Sequence, residues 1–309
     1  MHILLITNDL YVPHVAATLA SVFENNMDMK FDVHILATDV SDESTRKLRL
    51  FIEEYGNTLD LRNVNPVDLD IDLSVCGKWG IFPSMKLYSA DFFPNVDKLL
   101  YLDADMICVG SLKYLDELEI SNYYVAASTD EELASVHKER LNIPQEEFYC
   151  CAGLMLFNLD AWRRDNVRSQ CFDFFNNPDN RDIIKFGEQD VINKVCMGHI
   201  LELPIEYNMF SFYWLHHGRT VPGRYRSTIE EHKRNAVIIH YIDACKPWFR
   251  DCRFPLKSYY HKYAAMTPWG DQNWGCSPMY EGGWQNFKNS IKCFLHHRGI
   301  NEYDFAYDV

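Results

Sequence analysis

Several features that would assign this chain to a common class are missing from its 309 residues. No apolar run approaches the roughly 18 residues of a membrane-spanning helix. The N-terminal MHILLITNDL lacks a basic segment before its short apolar run, so we expect that it is not a signal peptide. A formal charge of −14 at pH 7 opposes general nucleic-acid binding, which needs clustered basic residues. An anionic ligand would therefore need a local source of positive charge.

The ten cysteines contain no Cys-x-x-Cys pair, although Cys150 and Cys151 are adjacent. This spacing is typical of neither a disulfide framework nor a zinc site, and it favours a reducing compartment. We expect free thiols that are buried and pack as small apolar side chains. The predicted location is the cytoplasm, and peripheral contact at the inner face of the membrane stays open.

The first hundred residues alternate short apolar runs with helical patterns. The predicted strands cover residues 2–7, 31–38, 59–64 and 98–105, and the predicted helices cover 15–26, 43–56 and 83–93. This βαβαβ order predicts an α/β fold with parallel strands and helices on both faces of the sheet. Ligands of such sheets bind beyond the carboxyl ends of the strands. The turn after the first strand, TNDLY, lacks Gly-x-Gly-x-x-Gly, so we expect a ligand other than a dinucleotide.

No linker or repeat interrupts the chain before its last sixty residues. We therefore predict one domain over residues 1–250 and a C-terminal helical, aromatic extension over residues 251–309. Within the extension, the segment 284–300 places aromatic and aliphatic residues on one helical face and basic residues elsewhere. This pattern predicts a packing helix, and binding to a membrane surface is the alternative.

Two stretches repeat the Asp-x-Asp spacing in different surroundings. In KLLYLDADMICVG, Asp103 and Asp105 follow a buried apolar run, where carboxylates are costly unless they are paired or bind a metal. Residues two apart on a strand point to the same side, and two carboxylates beside a diphosphate form a divalent-cation site. In VDLDIDL, by contrast, Asp68, Asp70 and Asp72 alternate with apolar residues, as on the exposed face of an edge strand or a turn.

A second polar group follows the apolar run AVIIHYI. His240 lies near the end of this run, and Lys246 follows six residues later, before Pro247 and Trp248. Imidazole is a suitable third ligand for Mn²⁺ beside two carboxylates, and a nearby lysine could neutralise phosphate charge. The alternative is a histidine that the backbone satisfies, with a surface lysine.

Taken together, these segments resemble a known enzyme family. TNDLY, LYLDADMICVGSL, CAGLMLFNLDAWR, EQDVIN and HYIDACKPW resemble, in this order and spacing, glycosyltransferase family 8. The family includes bacterial lipopolysaccharide galactosyl- and glucosyltransferases and glycogenin. The resemblance implies a GT-A fold with a Rossmann-like mixed sheet, a UDP-sugar donor, a saccharide or glycolipid acceptor, Mn²⁺ or Mg²⁺, and retention of anomeric configuration. We therefore predict a hexosyltransferase of lipopolysaccharide, capsule or related glycan synthesis.

The resemblance also implies which residues form the site. The implied nucleotide-sugar contacts are Thr7, Asn8, Asp9, Tyr11, Lys86, Asp103, Ala104, Asp105, Cys151 and Lys246. The implied metal ligands are Asp103, Asp105 and His240, and the implied catalytic residues, which face the sugar, are Glu188, Gln189 and Asp190. In this scheme Tyr11 stacks on uracil, Lys86 contacts the donor phosphate or sugar, and Lys246 binds the diphosphate.

Three positions depart from the family pattern. Cys151 stands where Asn is usual, Glu188 replaces Asp, and Asp243 replaces Gly. A lost amide changes the contacts to sugar hydroxyls, and the longer carboxylate reaches about one methylene further. The sugar stays open between galactose and glucose. Two alternatives also stay open: a degenerate protein that binds a UDP-sugar without turnover, and a metal-dependent phosphohydrolase that uses Asp-x-Asp.

Overall fold

The chain is described by a computed structural model over residues 1–71, 80–214, 221–242, 246–252, 254 and 256–277. Its strands are β1 (His2–Asn8), β2 (Asp32–Thr38), β3 (Thr58–Asn63), β4 (Lys98–Leu102), β5 (Met106–Cys108), β6 (Val125–Ala127), β7 (Leu154–Asn158), β8 (Ile200–Glu202), β9 (Met209–Phe210) and β10 (Ile238–His240). Its α-helices are α1 (Val12–Glu24), α2 (Asp42–Glu54), α3 (Ser89–Phe92), α4 (Lys113–Glu117), α5 (Glu131–Arg140), α6 (Leu159–Arg164), α7 (Val167–Asn176), α8 (Glu188–Val195), α9 (Ile229–Arg234) and α10 (Lys257–Ala264).

The larger sheet is mixed. Within the described residues it contains seven strands in the order β3-β2-β1-β4-β7-β6-β8. The strands β1 to β4 run parallel to one another, whereas β7 runs antiparallel to both β4 and β6. The βαβαβ pattern of the sequence thus accounts for the parallel half of the sheet. The mixed sheet that the family resemblance implies is confirmed.

Two hydrophobic cores cover the two faces of this sheet. Ile3 and Leu5 of β1 pack with Leu19 of α1 in one core, while Leu4 packs with Trp162 of α6 in the other. Successive side chains of a strand point to opposite faces, so one apolar strand contributes to both cores. The predicted α/β class with helices on both faces is confirmed.

A smaller sheet lies next to the larger one. Its described strands have the order β5-β10-β9, with β10 antiparallel to β5 and parallel to β9. The chain leaves the larger sheet after Leu102, turns, and enters the smaller sheet at Met106. The strand predicted over residues 98–105 therefore ends three residues early, and the two carboxylates of Asp103 and Asp105 lie in a turn between the sheets.

Two helical segments deviate from a single regular helix. Between Leu159 and Asn176 the chain forms two helices, α6 and α7, because Asn166 between them adopts a left-handed φ of 51°. Asn tolerates this conformation better than most residues. The helix predicted over 83–93 is a 3-10 helix, Pro83–Tyr88, followed directly by α3.

Helix α10 lies in the predicted C-terminal extension and packs against α1. Tyr260 and Tyr263 belong to the same hydrophobic core as Val12, and the Tyr260 hydroxyl lies 2.6 Å from His14 Nδ1. Residues 278–309, which contain the helix predicted at 284–300, lie outside the described residues. Among the described helices, none has the length and apolar character needed to span a bilayer. The domain boundary at residue 250 stays a prediction.

Candidate active site and metal centre

Asp103, Asp105 and His240 meet where the two sheets join. Their ligand atoms lie within 4.8 Å of one another, and His240 Nε2 is 3.3 Å from Asp105 Oδ1 and 3.8 Å from Asp103 Oδ2. The strands β5 and β10 pair so that His240 lies opposite Met106, the residue after the carboxylates. This predicted group is therefore assembled, but by a turn rather than by the alternation of side chains along one strand.

The turn that carries the carboxylates is held by α1. The Thr18 hydroxyl lies 3.1 Å from the carbonyl oxygen of Ala104 and 2.8 Å from that of Met106. A buried hydroxyl that contacts both carbonyls fixes the backbone on each side of Asp105. Thr18 lies in an apolar helix, so no sequence pattern marked it as part of the site.

The surroundings of the three ligands fit a divalent cation. Carboxylate oxygens and one imidazole form a donor set that suits Mn²⁺, and the oxygens also suit Mg²⁺. The backbone of Gly153 passes close by: a Cβ there would lie 2.5 Å from His240 Cε1 and 3.0 Å from Asp103 Oδ2. Glycine at this position therefore lets the chain entering β7 approach the ligands without filling the space between them.

The two carboxylates differ in their charged partners. Burial raises the pKa of Asp105, but Lys246 and His240 outweigh it and hold that pKa well below its usual range. Lys246 Nζ donates to Asp105 Oδ2 at 2.6 Å. The pKa of Asp103 is raised, mainly by burial and secondarily by the charge of Asp105, although Lys86 opposes both. Negative charge at Asp103 is therefore incompletely balanced, which favours an added cation.

Two side chains orient the ligands themselves. The Tyr101 hydroxyl donates to Asp103 Oδ1 at 2.5 Å, and His240 Nδ1 lies 2.9 Å from Asn208 Oδ1. Neither partner was found from sequence. The two-residue spacing of Tyr101 and Asp103 was a usable signal, whereas Asn208 lies 32 residues before His240 and carried none.

Lys86 lies on the 3-10 helix Pro83–Tyr88 and is buried. Its side chain is 1% exposed, and Nζ donates to Glu188 Oε1 at 3.0 Å and to the Ala152 carbonyl at 2.9 Å. The ammonium also lies 4.0 Å from the centre of the Tyr101 ring. Burial raises the pKa of Glu188, and Lys86 opposes this shift. The predicted donor contact and the departure at residue 188 thus form one buried ion pair.

Gln189 is held at both ends of its side-chain amide. Its Oε1 accepts from the Ala152 backbone N–H at 3.0 Å. Its Nε2 donates to Asp130 Oδ2 at 2.9 Å and to the Tyr149 hydroxyl at 3.3 Å. These contacts fix the orientation of the Gln189 amide. They also place Gln189 close to Lys86, because both side chains contact the backbone of Ala152.

Asp190 is fully buried behind Gln189. Its carboxylate accepts from two Arg140 nitrogens at 2.8 and 2.9 Å and from the Tyr149 hydroxyl at 2.9 Å. It also accepts from the backbone N–H groups of Lys185 and Phe186 at 2.7 and 2.8 Å. Burial raises the pKa of Asp190, but Arg140 and these backbone groups hold it below its usual range. The carboxylate therefore anchors the segment that enters α8.

The turn after β1 brings together the residues predicted to bind uridine. Thr7 is buried, and its hydroxyl donates to the Asn8 carbonyl at 3.0 Å. Asn8 Oδ1 accepts from the Tyr11 backbone N–H at 3.1 Å. Asp9 accepts from the backbone N–H and hydroxyl of Ser41, each at 3.0 Å, and the backbone contact is the main reason that its pKa is lowered. The side chain contacts of Asn8 and Asp9 shape this turn.

An aromatic cluster links this turn to the segment that carries Lys246. The His14 and Trp248 rings stack with centroids 3.6 Å apart, and Tyr11 meets both edge-on at 5.3 and 5.8 Å. Burial lowers the pKa of His14 to about 3, so this imidazole is neutral. Tyr11 remains 42% exposed, which leaves part of its ring open to a ligand.

Cys151 lies beside the metal ligands but inside the protein. It packs with Met209 and Phe210, and burial is the main cause that raises the pKa of its thiol well above the usual range. Cys108, Cys150, Cys171 and Cys196 are buried too, and these thiols, with that of Cys151, are free. The expectation of buried free thiols is confirmed for these residues. Asp243, the third departure, lies outside the described residues.

The second Asp-x-Asp stretch lies on the surface of the protein. Asp68 ends a 3-10 helix that begins at Pro66, and both Asp68 and Asp70 are exposed. The prediction of a solvated turn is confirmed for these two residues. Asp72 lies outside the described residues.

A mixed sheet with helices on both faces and an Asp-x-Asp turn beyond the carboxyl end of a central strand are features of the GT-A fold. The galactosyltransferase LgtC, solved with donor and acceptor sugar analogs, matches this fold with a TM-score of 0.72 over 87% of this chain and 96% of that chain, at 21% identity. An active-site mutant of LgtC gives a TM-score of 0.75 at 22% identity over the same shares of the two chains.

The sequence model of glycosyl transferase family 8 matches residues 2–252, and the chain belongs to this family. Lipopolysaccharide 1,2-glucosyltransferase of Escherichia coli is 28% identical over 269 residues, which cover 84% of this chain and 76% of that protein. Lipopolysaccharide 1,3-galactosyltransferase of Salmonella typhimurium is 24% identical over 82% of this chain and 74% of that protein. General stress protein A of Bacillus subtilis is 22% identical over 87% of this chain and 94% of that protein.

Proposed function

We propose that the protein is a retaining, metal-dependent hexosyltransferase that moves galactose or glucose from a UDP-sugar to a saccharide or glycolipid acceptor. The observation that carries this proposal is that Asp103, Asp105 and His240 meet, with the Lys246 ammonium on Asp105 and the charge of Lys86 acting on Asp103. A protein with a formal charge of −14 needs such local positive charge to bind a diphosphate. The glucosyl- and galactosyltransferase relatives support a hexose and a role in lipopolysaccharide, capsule or related glycan synthesis.

The uridine end of the donor lies at the turn after β1 in this proposal. The exposed part of the Tyr11 ring stacks on uracil, and the edge-on contacts with His14 and Trp248 hold that ring in place. Asn8 and Asp9 already use part of their hydrogen-bonding capacity to shape the turn. Their remaining acceptors, with the Thr7 backbone, recognise uracil and ribose.

The diphosphate lies beside Asp103, Ala104 and Asp105, within reach of the Lys246 ammonium that contacts Asp105. When bound, Mn²⁺ or Mg²⁺ supplies a Lewis acid for the charge that develops on the leaving UDP. Lys246 donates hydrogen bonds to the diphosphate from the segment that follows β10. Asp103, Asp105 and His240 hold the cation. Lys86 offsets the remaining negative charge of Asp103 and Glu188.

The donor sugar faces the N-terminus of α8. An oxocarbenium-like anomeric carbon is favoured by electron-rich neighbours, and Gln189 is the neighbour whose side chain is held in one orientation. Glu188 acts through Lys86, to which it is paired. Asp190 is a positioning residue, because its buried carboxylate is occupied by Arg140 and backbone N–H groups. The buried thiol of Cys151 changes the wall beside the sugar.

The test is a screen of UDP-sugars with Mn²⁺, in which UDP release is read with and without candidate acceptor saccharides. We expect release from UDP-galactose or UDP-glucose that is slow alone, faster with an acceptor and abolished by EDTA. The product linkage, read from the anomeric coupling constant by NMR, should be α for an α-linked donor. A β-linked product would contradict retention.

Because Cys151 replaces the Asn that is usual in the family, one alternative function is a protein that binds a UDP-sugar without turnover. Calorimetry separates the two functions: Mn²⁺-dependent UDP binding without UDP release in any acceptor mixture would support the binding protein. Membership of family 8 favours transfer over the phosphohydrolase alternative, which predicts release of inorganic phosphate in the same assay. Peripheral membrane contact through the C-terminal region stays a prediction.

A further inference from the structure

We propose that Asn208 is a positioning residue for the metal site: its amide oxygen fixes the tautomer of His240, so that Nε2 presents its lone pair toward Asp103 and Asp105. This inference rests on the proposed metal-dependent function. It concerns a residue that contacts neither carboxylate, and it assigns to Asn208 the orientation of one ligand rather than a contact with the donor.

The hydrogen bond between the two side chains carries the inference. His240 Nδ1 lies 2.9 Å from Asn208 Oδ1, and the two residues are 2% and 1% exposed. A carbonyl oxygen only accepts, so Nδ1 carries the hydrogen, and a neutral imidazole then keeps its lone pair on Nε2. The other tautomer would place a hydrogen on Nε2, between the imidazole and Asp105 Oδ1, and would prevent Nε2 from binding a cation.

Local structure keeps Asn208 in register with His240. Asn208 is the last residue of the 3-10 helix Ile205–Asn208 and directly precedes β9. Strand β9 pairs in parallel with β10, so that Met209 lies opposite Ile239 and Phe210 opposite His240. The same small sheet thus carries the ligand and the residue that orients it, and the contact does not depend on a flexible loop.

The nitrogen of the same Asn208 amide, Nδ2, is buried and is left without a hydrogen-bond partner among the described residues. Burial raises the pKa of the Cys151 thiol, and the Asn208 side chain opposes this shift. A buried N–H without a partner is unfavourable, and such groups in native proteins commonly mark functional constraint. Here the amide retains the orientation that serves His240.

The experiment compares substitutions that remove or keep the acceptor. Asn208→Leu keeps the approximate volume but removes the oxygen, so the dissociation constant for Mn²⁺, measured with UDP by the EPR signal of free Mn²⁺, should rise about 10- to 100-fold. Asn208→Asp keeps an oxygen on Nδ1 and should bind Mn²⁺ at least as tightly as wild type. A purely structural role would lower the melting temperature in EDTA for both variants without opposite effects on Mn²⁺. If the Leu variant does not fold, Asn208→Ser, whose hydroxyl is too short to reach His240, replaces it with the same expectation.

A double-mutant cycle separates this inference from the proposed function. In a His240→Ala background, Asn208→Leu should leave the Mn²⁺ affinity unchanged, because there is no imidazole to orient. If His240→Ala weakens Mn²⁺ binding but Asn208→Leu or Asn208→Ser does not, the role of Asn208 is refuted and the metal site stands. If His240→Ala binds Mn²⁺ like wild type, the metal site itself is refuted and the inference falls with it.

Discussion

The two Asp-x-Asp stretches of this chain have the same spacing and opposite surroundings. Asp103 and Asp105 follow a central strand, lie between two sheets and face His240, with the Asp105 side chain 14% exposed. Asp68 and Asp70 follow Pro66 on the surface, and both are exposed. The comparison teaches that spacing only permits two carboxylates to act together. Whether two carboxylates bind a cation depends on the strands and turns that end beside them, because burial and a third ligand make cation binding favourable.

The largest expected effect tests the first stretch. Asp103→Asn removes one negative charge from the site at nearly constant volume and keeps an oxygen for the Tyr101 hydroxyl. Turnover, measured as Mn²⁺-dependent UDP release, should fall by about a hundredfold or more. Because folding already raises the pKa of Asp103, removing its charge should not lower the melting temperature in EDTA. A fully active variant would show that the wrong carboxylates were chosen.

A second prediction concerns the ammonium on Asp105. Lys246→Met removes a positive charge 2.6 Å from the Asp105 carboxylate, so without nucleotide the protein should bind Mn²⁺ roughly tenfold more tightly. With UDP the sign should reverse, since the variant has lost a partner for the diphosphate. EPR titrations with and without UDP measure both. The control is Lys113→Met, at a lysine 63% exposed on α4; weaker binding of Mn²⁺ in both conditions would contradict the prediction.

A smaller effect is expected at Tyr101. Tyr101→Phe removes the hydroxyl that orients Asp103 and keeps the ring beside Lys86. The affinity for Mn²⁺ should fall by about three- to tenfold, less than on loss of a ligand. Tyr114→Phe, at a tyrosine 46% exposed, serves as the matched control. Equal Mn²⁺ affinities for wild type and both variants would mean that Asp103 needs no orienting partner.

The smallest effect is expected in the second stretch. Asp70→Asn alters an exposed side chain, so the free energy of unfolding should change by no more than about 0.5 kcal/mol. The rate of UDP release should equal that of wild type. A thermal melt and the release assay, run beside Asp103→Asn, make the comparison direct. Activity losses of similar size in the two variants would contradict the prediction that only the stretch with Asp103 and Asp105 contributes to turnover.

The sequence predicted the parallel half of the sheet well, since β1, β2 and β4 are mainly apolar and helical patterns separate the four strands. It predicted that Asp103, Asp105 and His240 come together because their motifs resemble those of a family. It did not predict the turn that joins β4 to β5, because an apolar run with two carboxylates reads as one long strand. Asn208 and Arg140 were missed because their roles depend on contacts across the fold, whereas Tyr101 was missed although it precedes Asp103 by only two residues. The division of α6 from α7 depended on one left-handed residue.

The position of Ala104 between the sheets has a mechanical consequence. The chain crosses there from the larger sheet to the smaller one, with Asp103 beside β4 and Asp105 beside β5, while His240 belongs to β10. A cation bound by all three residues would cross-link the two sheets, in addition to its chemical role. Its arrival should slow amide hydrogen exchange in β5 and β10. Binding of the cation would thereby stabilise the junction of the two sheets as well as the donor.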